Sequence, residues 1–177
     1  MTMPRPQPPK LPAPGPDATL REAQEWLRLY MANGGEICPC CKQRAQVYRR
    51  RLSSGVARVL ICMLRLEDKL GDEEKFLHTP SLPVTSHESA QAQWWRLIEE
   101  KGEEREDGGR AGYWRLTDRG RAFVRGELTI PKHAVVYNGK LMGFDLDEVD
   151  IHACLGKKFD LQQLMHARLD VFEEDHD

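Results

Sequence analysis

Cys38 and Cys41 stand three residues apart around Pro39 and Cys40. This is the C-P-x-C spacing with which two thiolates on one tight turn reach a single tetrahedral Zn²⁺. A closed structural site needs four donors, and no second C-x-x-C follows. The pair must draw on scattered ligands such as His78 or Cys62, or on a second subunit; free thiols or a knuckle without metal are the alternatives. A second group has the chemistry of base reading. Gln91 and Gln93 can pair bidentately with adenine and Arg96 with guanine, and His87 falls on the same outward side. Arg110, Arg115, Arg119, Arg121 and Arg125 bring guanidiniums suited to phosphate, and Arg49-Arg50-Arg51 offers a weaker phosphate clamp. The same arginines also suit an ordinary solvated surface.

Other chemistries find no pattern. Asp145-x-Asp147-x-x-Asp150 lacks the glycine and terminal glutamate of a calcium loop and reads as helix capping. No Ser/His/Asp order, phosphate loop or H-E-x-x-H occurs, so a non-enzymatic protein is expected. Net charge is −2 but uneven: Lys42 to Arg58 carries six bases and no acid, whereas Glu127 onward carries eleven acids against five bases. A basic middle with an acidic tail suits a nucleic-acid binder. Glu99, Glu100, Glu103, Glu104, Glu106 and Asp107 argue the other way, since acids facing phosphate cost affinity.

These side chains need elements to hold them. Met1 to Pro16 is too rich in proline for a helix or a sheet ladder and reads as a disordered arm. Asp17 or Thr19 can cap a helix to about Ala32 with Ala23, Trp26, Leu27 and Tyr30 on one side, ended by Asn33-Gly34-Gly35. Ala45 to Arg50 can form a strand. Ser53 or Ser54 caps the strongest core helix, where Val56, Val59, Leu60, Met63, Leu66 and Leu70 recur at helical spacing before Gly71. Ser86 to Glu100 reads as an amphipathic helix with Ala90, Trp94, Leu97 and Ile98 inward. Asp107-Gly108-Gly109 signals a hairpin turn, Ala111 to Leu116 a strand, and Thr117-Asp118 the cap of a short helix burying Ala122, Phe123 and Val124. Asn138-Gly139 marks a second hairpin; Asp147 or Asp150, and then Asp160, cap short helices.

Helix, hairpin, then Leu116-Thr117-x-x-Gly120 closing into a helix resembles the end of a winged helix-turn-helix domain. The chain also resembles a family of small bacteriophage and prophage proteins without a settled activity. Cys38-Pro39-Cys40-Cys41-Lys42-Gln43, Val47-Tyr48-Arg49-Arg50, Trp95-Arg96-Leu97-Ile98-Glu99, Gly112-Tyr113-Trp114-Arg115-Leu116-Thr117 and Gly120-Arg121-Ala122-Phe123 carry the resemblance. Tyr137-Asn138-Gly139-Lys140, Gly143-Phe144, Phe159-Asp160 and Leu164-Met165 extend it to about Met165. Lys42 departs from the glycine that commonly follows the second knuckle cysteine. The resemblance implies a phage origin.

The expected fold is α+β: a disordered arm (1–16), an N-terminal helix (17–35), a winged helix-like core including the cysteine cluster (36–127), a β-hairpin and helical extension (128–170) and an acidic tail (171–177). The expected function is DNA binding, regulatory in kind, with double-stranded DNA as partner. The alternative is an interaction module for a host or phage protein. Tyr137 to Phe144 and the helix at Asp160 could pair subunits into a homodimer. No run approaches the length of a membrane span and no signal core follows the first charges, so the bacterial host cytosol is expected. Five cysteines without a disulfide framework fit a reducing compartment.

Overall fold

Thr19 accepts a hydrogen bond from the Glu22 amide at 3.3 Å, and the Glu22 carboxylate accepts one from the Thr19 amide at 2.8 Å. This reciprocal cap satisfies donors that the first helical turn leaves unpaired, and it opens α1, Leu20–Tyr30. The computed structural model describes residues 10–32, 34–72, 75–84, 86–102 and 112–167. The chain forms two compact units, Met1–Tyr48 with Val136–Lys140, and Arg49–Val135 with Leu141–Asp177.

In the first unit, α1 buries Ala23, Trp26 and Leu27. Strands β1 (Glu36–Ile37) and β2 (Arg44–Ala45) pair antiparallel, Glu36 opposite Ala45. Ala45 joins Trp26 and Leu27 in a small core, with Tyr30, Met31, Cys38 and Tyr137 packed against it. The expected disordered arm is tied down from Lys10 onward. The Leu11 carbonyl accepts from the Trp26 indole at 3.1 Å, the Leu11 amide donates to the Tyr30 hydroxyl at 2.8 Å, and Lys10 pairs with Glu36. The cysteine hairpin therefore groups with the N-terminal helix, and the boundary expected before Glu36 falls at Tyr48.

The expected strand begins later, as β3 (Tyr48–Arg51), with all four side chains exposed; the second unit starts within it, at Arg49. Ser53 accepts from the Val56 amide at 3.4 Å and starts α2, Ser54–Leu70, which Gly71 closes. Helix α2 is buried on nearly every side, from Val56 to Glu67, as a central core helix must be. Strands β4 (Leu77–His78), β5 (Ile98–Glu100) and β6 (Tyr113–Leu116) form an antiparallel sheet in the order β4-β6-β5, with Leu77 opposite Trp114 and Ile98 opposite Leu116. Thr117 caps α3, Asp118–Val124, which buries Phe123 and Val124 and leaves Ala122 half-buried.

One expected element is overturned. No α-helix spans Ser86 to Glu100; Ser89–Trp95 is a 3₁₀ helix, and Arg96 ends it in the left-handed region at φ 57°. The buried residues Ala92 and Trp95 are three apart, the period of a 3₁₀ helix, and Leu97 and Ile98 are then buried in succession as the chain enters β5. An α-helix could not bury all four on one stripe.

Beyond α3, β7 (Ile130–Pro131) pairs with β10 (Glu148–Val149), and β8 (His133–Tyr137) and β9 (Lys140–Phe144) flank the expected Asn138-Gly139 turn. Both turn residues have positive φ, 48° and 72°, as a two-residue hairpin turn of matching twist demands. The sheet order is β3-β8-β9. Asp150, not Asp147, caps α4 (Ile151–Leu155), and Asp160 caps α5 (Leu161–His166). The fold is thus α+β with small sheets. Among the described residues, no helix is long and apolar enough to cross a membrane.

Candidate nucleic-acid interface

The junction between the 3₁₀ helix and α3 is fixed by backbone. Thr117 donates its amide to the Leu97 carbonyl at 3.1 Å and its hydroxyl to the Arg96 carbonyl at 2.7 Å, while that hydroxyl accepts from the Gly120 amide at 3.0 Å. A Cβ at Gly120 would sit 2.0 Å from the Leu97 carbonyl oxygen. This close approach is the physical reason for glycine three residues after the threonine. The Trp95 indole donates to the Pro131 carbonyl at 2.7 Å, and its own carbonyl accepts from Arg119 Nε at 3.1 Å. Arg96 and Arg119 are thereby brought to the same junction, and both are exposed.

Three residues per turn sort the helix into ridges, because side chains at i and i+3 eclipse. Ala92 and Trp95 form the buried ridge and Gln91 and Trp94 a half-buried one; Gln93 is exposed, and so is Arg96, the left-handed cap beyond the helix. His87 is exposed ahead of the helix. Of the expected base readers, Gln93 and Arg96 are exposed and Gln91 is half-buried.

The phosphate candidates divide. Arg115 is half-buried, pairs with Glu99 across β5 and β6, and lies over the Phe76 ring at 4.9 Å. Arg121 is a correction. It is 7% exposed, its Nε donates to the Glu67 carboxylate at 3.0 Å and its Nη1 to Asp118 at 3.0 Å. A buried guanidinium held by a buried carboxylate is part of the core and cannot reach phosphate. Arg110 lies outside the described residues. Arg125 is exposed at the C-terminal end of α3. Arg49, Arg50 and Arg51 are exposed on β3, where Arg49 pairs with Asp145 at 2.7 Å. Burial alone would push the Asp145 carboxyl up; the His133 amide and ring, with Arg49, outweigh it and bring it down to about 2.

Sequence reasoning missed Glu67. Its signal was a carboxylate four residues after Met63 and seven after Leu60, in register with the apolar stripe of α2. His78 and Cys62, the expected further metal donors, lie in the second unit. His78 contacts Ser81 through Nδ1 at 2.6 Å and packs on Tyr113; Cys62 is a core residue whose thiol burial pushes up. Among the described residues, no three His, Cys, Asp or Glu side chains are placed to hold one ion. Comparison with protein-family models, with curated proteins and with solved structures yields no match.

Proposed function

We propose that this chain is a non-enzymatic DNA-binding protein of phage origin, built on a winged helix-turn-helix core and acting in the cytosol of a bacterial host. The observation that carries the reading is the strand order β4-β6-β5, with α2 ahead of it and α3 behind. In that reading β5 and β6 are the wing strands. The 3₁₀ helix stands where a recognition helix would lie. Gln93 and Arg96 then meet base edges, and Arg119 meets phosphate beside them.

The test is fluorescence anisotropy of the purified chain on a random-sequence duplex across a salt series. Micromolar binding that weakens steeply with salt is expected, because each neutralised phosphate adds about 0.9 to the log–log slope. Arg119→Ala should lower that slope by about 1. On a selected site, Gln93→Ala or Arg96→Ala should cost about 1–3 kcal/mol of discrimination per lost bidentate pair. No binding at low salt would end this reading.

A second reading, docking onto a host or phage protein, is favoured by one observation. Strand β9 and the residues after it expose Leu141, Met142, Phe144 and Leu146, the last 99% accessible. Exposed apolar residues in a row mark interaction surfaces. A pulldown from nuclease-treated lysate that retains a partner, and loses it on Met142→Glu, would support docking over DNA.

A further inference from the structure

The turn between β1 and β2 has the form of half a metal site. The Cys38 amide donates to the Gln43 carbonyl at 2.8 Å, and the Lys42 amide donates to the Cys38 carbonyl at 3.0 Å. Lys42 takes a left-handed φ of 60°, so the backbone makes the turn where a glycine would be usual. Two thiols three residues apart on one tight, backbone-bonded turn suit a tetrahedral thiophilic ion.

Among the described residues, no third His, Cys, Asp or Glu side chain joins two others about one ion, so nothing in the unit that carries this turn is placed to close the shell. That unit holds no histidine, and its only cysteines are Cys38, Cys40 and Cys41. The turn is at the surface, with Cys40, Cys41 and Lys42 exposed and Ile37 50% accessible beside them. We infer that Cys38 and Cys41 of two copies of this chain together bind one Zn²⁺, which joins the copies about a twofold axis through the ion. Two thiolate pairs related by such an axis can make a tetrahedron, and twofold pairing is the commonest closed symmetry. Charge supports two copies. Four thiolates around Zn²⁺ leave a net charge of −2, and each copy brings one Lys42, whose Nζ is held at the turn by the Pro39 carbonyl at 2.9 Å. The exposed Ile37 of each copy supplies apolar surface beside the ion.

The full chain, reduced and freed of metal, is titrated with Zn²⁺ while mass is followed by sedimentation velocity and bound metal by elemental analysis. One zinc per two chains, appearing together with the dimer and reversed by chelator, is the expected result. Cys38→Ser and Cys41→Ser should each abolish both zinc and zinc-dependent dimer, while Cys40→Ser retains both. The variants change exposed or half-exposed turn residues, and an unchanged far-ultraviolet dichroism spectrum shows that each is folded. One zinc per monomer, zinc bound without dimer, no zinc, or loss of zinc in Cys40→Ser would each overturn the inference.

Discussion

Arg121→Met tests whether this arginine is a core residue or a surface contact. Its guanidinium side chain is 8% exposed and that of Glu67 1%, with 3.0 Å between the paired atoms. An exposed pair would contribute about 0–1 kcal/mol. Here the change leaves a carboxylate inside the core without its charged neighbour, and breaking such a pair costs about 3–5 kcal/mol. The Leu116 amide donates to the same carboxylate at 3.4 Å, a long hydrogen bond that offsets only part of the loss. The second contact, to Asp118, contributes little, since that side chain is fully exposed. With a urea slope of about 2 kcal/mol per molar, the midpoint should fall by about 2 M. Tryptophan fluorescence reports it, because Trp95 and Trp114 are buried in the same unit. Replacing both partners, Glu67→Leu with Arg121→Met, should recover most of the loss, as no charge is then left buried. A shift under about 0.5 M for the single variant, together with weakened DNA binding, would refute the reasoning and return Arg121 to the surface.

Gly120→Ala should destabilise by at least about 1–3 kcal/mol, since its Cβ would meet a carbonyl oxygen at 2.0 Å, whereas Gly143→Ala, which meets nothing within 4 Å, should stay near neutral in the same urea experiment. Asp145 has a folded value of about 2 against an ordinary 3.8, so its contribution is present above about pH 4 and is lost as pH falls through 2. Urea midpoints of wild type and Asp145→Asn should therefore differ at pH 5 and converge near pH 2; a constant gap would show that His133 and Arg49 do not hold the carboxylate.

Caps and turns were legible because their chemistry is local. Thr19, Ser53, Thr117 and Asp160 each hold the amide three residues on, and Asn138-Gly139 turns where its positive φ angles allow. The helix expected at Ser86 failed for a non-local reason. Trp95 is anchored to Pro131, 36 residues away, and Leu97 is fixed by Thr117 and Gly120 of α3. Those contacts set which side chains go inward, and they select a period of three. The partner of Arg121 was equally hidden, since Glu67 lies 54 residues back in the sequence.

The change of period bears directly on what the junction can recognise. On an α-helix, Gln91, Gln93 and Arg96 would spread over a broad outward face, and each could reach a different base. Here Gln93 is exposed on the 3₁₀ helix and Arg96 on its left-handed cap, while Gln91 falls with Trp94 on a half-buried flank. The exposed edge thus offers one amide and one guanidinium, with Arg119 held to the Trp95 carbonyl beside them. Two reading side chains match a base-pair step or two, too little for a long site from one chain. A protein with so short a reading edge gains specificity by placing two edges on one duplex at a fixed spacing. Two copies joined through the Cys38–Cys41 turns would bring two such edges to one assembly, which links the metal inference to the proposed DNA reading through stoichiometry alone. If the zinc-free chain binds a selected site as tightly and as selectively as the zinc-loaded one, the two ideas are independent and only one edge is read.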